Sequence, residues 1–281
     1  MDFVLSTADE LLLDKVWAHI LPLHPTNTSS EYPISVLPAT SAWSRDYIPR
    51  QILSLSVLTL IGIYALYFVF AWLSYKFIFN HDMMRHPKFL PNQVRLEIMT
   101  SVRAFPVMML LTLPWFQAEV MGYSKLYDGL DTYGWPYLFA SIPLFLLFTD
   151  YCIYWLLHKP HHKWIIPSPW SSHAFHPVDG YLQSVPYHLF VFLFPLHRMV
   201  YLGLFVFVNF WSIFIHDSDM ITGHPLETVI NGPAHHTLHH IYFTVNYGQY
   251  FTWADRVGNS YRQPEKSLDP LLEVQLKGKK E

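Results

Sequence analysis

Between Arg50 and Lys76 the chain carries no charged residue, and the apolar stretch 52–74 is long enough to cross the roughly 30 Å hydrocarbon core of a bilayer as one helix. Inside lipid a helix is one of the few structures that satisfies every backbone donor and acceptor internally. The rest of the chain agrees with a membrane setting: of 281 residues, 52% are hydrophobic and 17% aromatic while 14% are charged, outside the usage of ordinary soluble domains. The expected fold class is therefore all-α, a polytopic membrane helical bundle. A net charge of −3 gives no basic footprint for nucleic acid. The single cysteine, Cys152, rules out an intrachain disulfide and any cysteine-based metal cluster.

Further spans follow from the spacing of charge. Residues 98–117 carry Arg103 near their start, and Pro106 and Pro114 predict a bent or re-entrant helix there. Residues 132–149 are uncharged and continue through Asp150 to Leu157. Segments 180–197 and 199–215, split by Pro195, His197 and Arg198, are each short for a full crossing and read as a hairpin that dips in and returns. The link between the first two spans holds Lys76, Arg85, Lys88, Arg95 and Arg103, which places it in the cytosol by the positive-inside rule. Residues 1–50 then form a lumenal segment, consistent with the sequon Asn27-Thr28-Ser29. Residues 51–157 hold the transmembrane helices, 158–261 a histidine-motif region with the membrane hairpin, and 262–281 a cytosolic tail. That tail ends in Lys277-Gly-Lys279-Lys280-Glu281, which resembles a dilysine retrieval signal of endoplasmic-reticulum membrane proteins.

Thirteen of the 17 histidines lie between His158 and His240. Two copies of His-x-x-His-His stand out, His158/His161/His162 and His236/His239/His240. Positions i, i+3 and i+4 share a helix face, so each copy can aim three imidazoles at one point. His173 and His176 of Ser-His-Ala-Phe-His-Pro, together with His216 and His235, enlarge the pool to ten. A tetrahedral zinc site closes with four ligands, so the pool suits two metals, and the bundle is expected to carry a cytosolic histidine-rich metal-binding cap. Imidazole accepts iron, zinc, copper and nickel alike, so spacing does not name the metal. The scattered His19, His24, His81, His86, His188, His197 and His224 read as interfacial polar anchors.

The segments LHKPHHKWIIPSPWSSHAFHPVDGYLQ (157–183), NFWSIFIHD (209–217) and NGPAHHTLHHIYFTVNYGQY (231–250), with 51–79 and Gly122-Tyr-Ser-Lys-Leu upstream, resemble the sterol C-5 desaturases of the membrane fatty-acid hydroxylase superfamily. The resemblance implies an endoplasmic-reticulum enzyme that holds two irons on its cytosolic face. It implies O2 as co-substrate, cytochrome b5 as electron donor and introduction of a 5,6 double bond into a delta-7 sterol. His158, His161, His162, His176, His216, His236, His239 and His240 are the ligands expected, with His173, His235, Asp179, Asp217 and Asp255 as further ligands or as outer partners that orient the imidazoles. Phe175, Tyr181, Tyr187, Phe210 and Trp211 are candidates for an apolar sterol cavity. One departure is marked. Members of the family carry a His-x-x-x-His motif ahead of the Leu157 segment, whereas here Asp150-Tyr-Cys-Ile-Tyr-Trp155 runs through Leu156 straight into Leu157-His158. About a dozen residues of the family pattern, two expected ligands among them, are missing, or roughly 18 Å of helix at about 1.5 Å per residue. The alternatives to an active desaturase are a catalytically inactive short variant and a lipid hydroxylase of the same superfamily.

Overall fold

In a computed structural model, which describes residues 1–23, 40–156 and 164–278, the apolar run between Arg50 and Lys76 lies in the longest helix. The element order is α1 (Asp2–Ala8), a π-helical turn (Asp9–Leu13), α2 (Asp14–Ile20), α3 (Ile48–Phe77), α4 (Gln93–Val120), β1 (Leu126–Tyr127), α5 (Gly134–Leu156), α6 (Pro177–Leu193), β2 (Leu196–His197), α7 (Arg198–Ile215), α8 (Pro233–Tyr242), α9 (Trp253–Val257) and α10 (Leu271–Gly278). The sequon at Asn27, His24, the first His-x-x-His-His copy and the last three residues fall outside the described residues. Four helices are long and apolar enough to cross a membrane: Ile48–Phe77, Gln93–Val120, Gly134–Trp155 and Arg198–Ile215.

The second of these runs without interruption through Pro106 and Pro114 for 28 residues. Membrane helices tolerate proline where neighbouring groups re-satisfy the freed carbonyls. The α6–α7 pair forms a hairpin. The turn between them is held beside the α4–α5 link: β1 and β2 pair in parallel, Leu126 opposite Leu196. Lys125 N–H donates to the Val191 carbonyl (2.7 Å), Tyr137 hydroxyl donates to the Pro195 carbonyl (2.8 Å), and the Arg198 guanidinium grips the Asp128 carboxylate at 2.7 and 2.9 Å. The 17 residues of α6 and the extended turn that follows therefore carry the chain to the level where α5 begins.

Contacts divide the chain into two units, residues 1–61 with 109–123 and residues 62–108 with 124–281. In the first, Arg50 is buried and donates to Asp9 at 2.6 Å, Trp17 Nε1 donates to Ser54 Oγ (3.0 Å), and the amino-terminal ammonium pairs with the buried Glu119 carboxylate. In the second, Phe145, Phe190, Val191, Tyr201, Leu204, Val208 and Tyr250 knit α5, α6 and α7 into one apolar core. Tyr67, Ala71, Phe105, Trp170 and Ile213 form another. A third, Phe79, Met83 and Ile166, has Ile241 and Leu271 packed on it. This last cluster places the start of α10 and the end of α8 against the α3–α4 link.

Candidate metal centre

Helix α8 is built around its histidines. Pro233 opens it at a position where the missing N–H costs nothing, and Phe243 closes it in the left-handed conformation (φ 63°). Ala234 and Leu238 face Met220, while His236 and His240, four residues apart, share a face. His216 caps the end of α7 and meets them. His236 Nε2 lies 3.1 Å from His216 Nε2 and 3.1 Å from His240 Nε2, and donor atoms of all three lie within 4.8 Å of one another.

The other ring nitrogens decide what this means. His216 Nδ1 is 2.6 Å from the Ser212 carbonyl and His240 Nδ1 is 2.9 Å from the Trp164 carbonyl. A carbonyl oxygen only accepts, so each Nδ1 carries the ring proton and each Nε2 a lone pair. Both lone pairs point towards His236 Nε2, so the three rings form a donor set that could hold a metal ion. All three rings are buried, and burial pulls His216 down to about 4, which keeps its imidazole neutral at pH 7, the form that binds a metal.

His239 is buried and is pinned in the same way, its Nδ1 donating to the Val245 carbonyl at 2.6 Å, with its ring against Tyr247. It stands outside the triad. His235 is buried with neither ring nitrogen hydrogen-bonded, its ring beside Tyr261, and burial pulls it down to about 4. His173 has both nitrogens engaged, by Ser172 Oγ (2.9 Å) and Asn209 Oδ1 (3.2 Å), and packs on Tyr67 and Phe105; burial takes it to about 4. His176 is exposed and caps α6, its Nδ1 accepting from the Val178 N–H. Asp179, in the first turn of α6, is raised by burial. Asp217 is buried next to His216, accepts from Asp219 N–H (2.9 Å), and is raised by burial to about 7. Asp255 accepts from Tyr247 N–H, Gly248 N–H and Ser260 Oγ at 2.7–2.8 Å. Among the described residues, neither Asp217 nor Asp255 bonds a histidine. His158, His161 and His162 lie outside the described residues.

Several contributors escape a reading of residue types. The carbonyls of Ser212, Trp164 and Val245 have no side-chain signature. Asp150, fully buried, accepts from Gln249 and Tyr250 N–H at 2.7 and 2.8 Å and so braces the 247–250 loop from the side opposite Asp255. An acid within an apolar span was the signal available. Among the aromatics expected around a sterol, Tyr187 hydroxyl meets Tyr250 hydroxyl (2.9 Å) and Trp211 Nε1 donates to the Gln249 carbonyl (2.8 Å), while Phe210 packs on Phe70. The first two contacts join α6 and α7 to the 249–250 loop, and the third joins α3 and α7. Segment 217–230 folds over α8, with Met220 against Leu238 and Thr252 N–H donating to the Val229 carbonyl (2.9 Å).

Comparison with known proteins places this arrangement. Residues 142–260 match the fatty acid hydroxylase family. A Delta(7)-sterol 5(6)-desaturase of Aspergillus fumigatus is 48% identical over 96% of this chain and 92% of its own length. One of Schizosaccharomyces pombe is 48% identical over 95% of this chain and 85% of its own. The human lathosterol oxidase is 52% identical over 82% of this chain and 81% of its own. No solved structure matches. With relatives this similar over nearly its whole length, the chain belongs to the sterol C-5 desaturase group of the fatty acid hydroxylase family.

Proposed function

We propose that this chain is built for introduction of the 5,6 double bond into a delta-7 sterol, as the names of its desaturase relatives describe, and that the reaction uses O2. The observation that carries the reading is the convergence of three Nε2 atoms with two of their rings locked by carbonyls. That donor set fits iron: His216, His236 and His240 would hold one ion, with His239, His235 and the first His-x-x-His-His copy available to a second. Iron bound there would supply the oxidising power, drawn from O2 and electrons from cytochrome b5, that unactivated C–H bonds require. The protein's own part is to keep His216 neutral, fix the His216 and His240 rings by their Nδ1 bonds and exclude water by burial. The setting we assign is the endoplasmic-reticulum membrane, with the histidines cytosolic. The basic α3–α4 link supports that side, because Ile241 of α8 packs on its Phe79 and Met83.

A second reading is a catalytically inactive short form lacking the first histidine motif. The alignment lengths support it: the match to the mouse lathosterol oxidase extends over 243 positions and takes in 82% of this chain, about 230 of its 281 residues, and the match to the Schizosaccharomyces pombe enzyme, 279 positions over 95% of the chain, has a similar excess of positions. From the family pattern we assign the gap to the junction of Leu156 and Leu157. Expression in a desaturase-deficient cell, with sterol analysis and iron counted per chain, separates the readings. Two irons and delta-5,7 sterol support the active enzyme; sub-stoichiometric iron without a sterol change supports the short form; iron with another oxidised lipid supports a hydroxylase. A chain given a dozen-residue insert carrying His-x-x-x-His should gain desaturation. If it stays inactive where a relative works, the account of the gap is wrong.

A further inference from the structure

Segment 164–174 has prolines at 167 and 169 and one 3-10 turn, Pro169–His173, in which the Ser168 and Ser171 carbonyls accept from Ser171 and Ala174 N–H. Five other carbonyls are taken up by side chains. Trp164 O accepts from His240 Nδ1 (2.9 Å), Ile166 O from Gln93 Nε2 (2.8 Å), Pro167 O from Ser218 Oγ (2.6 Å), Trp170 O from Tyr67 hydroxyl (2.7 Å) and Ala174 O from Trp164 Nε1 (2.9 Å). The segment thus delivers to the metal centre the carbonyl that sets the His240 tautomer.

Its anchorage on α4 has an unusual component. Glu97 is fully buried in a helix apolar enough to cross a membrane, where a carboxyl group is costly without partners. Its partners are few and local. One oxygen accepts from Gln93 Nε2 (2.7 Å) and, at 3.4 Å, from Ser168 N–H; the other is bonded by Ser168 Oγ. Gln93 is itself oriented by Leu90 N–H, which donates to its Oε1 (2.8 Å), so its amide is free to bridge Glu97 and Ile166. No histidine touches Glu97 among the described residues. A buried acid that bonds only the segment and the residue one turn before it has a holding role.

We propose that Glu97 is a positioning residue for the metal centre: through Ser168 and Gln93 it clamps segment 164–174 and thereby keeps the Trp164 carbonyl where it orients His240. The inference rests on His216, His236 and His240 being metal ligands. Outer partners of metal-bound histidines typically cost 10–100-fold in affinity when removed, and Glu97 acts two contacts further out, so a loss of about tenfold is expected.

The test is cobalt(II) titration of the full chain in detergent or nanodiscs, read by the ligand-field spectrum. Glu97→Ala and Ser168→Ala should each weaken cobalt by about tenfold and shift the spectrum. Glu97→Gln, which keeps hydrogen bonds to Ser168, should bind within about twofold of the parent. Leu204→Ala in the α5–α6–α7 core serves as the control for general loosening and should lower the melting temperature while keeping parental affinity. Parental affinity in Ser168→Ala, or an equal loss in Leu204→Ala, overturns the proposal; Ser168→Ala carries the test whether or not Glu97→Ala accumulates. His216→Ala and His240→Ala should abolish binding at the triad, with loss of its part of the spectrum. If they do not, the metal reading itself fails, whereas their failure to bind alongside intact binding in the Glu97 and Ser168 variants sinks only the clamp.

Discussion

A buried carboxyl beside a candidate metal ligand has two opposite meanings, and Asp217 lets them be told apart. As an ionised partner of the centre it would be paired. Here one oxygen accepts from Asp219 N–H and the other has no hydrogen bond, and burial raises it to about 7 from 3.8. With the folded value above the unfolded one, the native chain holds its proton longer. The resulting stability is full below about 4 and is lost as pH rises towards 7, after which the cost of burying the charge is complete. In the chelated chain Asp217→Asn should therefore melt higher than the parent at pH 8, by on the order of 1–3 kcal/mol, with the difference gone at pH 4. A variant less stable than its parent at both values would mean that Asp217 is ionised and paired. The sequence could nominate this residue by its neighbour His216, but the pairing of its two oxygens depends on the path of residues 217–219.

Among the elements, the loop after α8 is held most tightly. Asp150 and Asp255 each spend backbone-directed oxygens on residues 247–250, and Gly248 sits where a side chain has no room. A Cβ there would lie 2.3 Å from the Phe251 carbonyl and 3.1 Å from Asp255 Oδ2. Gly248→Ala should cost about 1–3 kcal/mol and weaken cobalt binding, since the same loop carries the Val245 carbonyl that fixes His239. Gly258→Ala meets the Tyr154 hydroxyl, the end of a side chain that can swing aside, so it should cost less; equal losses in a thermal melt would contradict the argument. The histidine face of α8 was readable from spacing alone, as were α3 and α5 from their uncharged runs. The continuity of α4 was not, because the effect of Pro106 and Pro114 depends on what packs around them. Nor was the reach of the α6–α7 hairpin, which is set by Leu126 and Asp128, some 70 residues away in sequence.

For the molecule as a whole, the paired strands and the α10 contact sort the connections into two groups, which are expected to lie on opposite membrane faces. The α6–α7 turn lies with the α4–α5 link, while His86 Nε2 of the α3–α4 link meets the Glu273 carboxylate of α10 at 3.2 Å. The single cysteine allows a direct check. In a Cys152→Ser background, Asp82→Cys and His224→Cys should react with an impermeant thiol reagent from one side of sealed vesicles, and Asp131→Cys only from the other. Labelling of Asp82→Cys and His224→Cys from opposite sides would refute the arrangement. The carbonyl locks add an order in time. His240 finds the Trp164 oxygen across 76 residues of sequence, and His216 and His236 come from separate helices. No nascent fragment ending before α8 owns a complete triad. If the triad binds a metal, its loading has to follow synthesis of α8, so a shortage of the metal would leave empty molecules behind instead of stalled shorter ones.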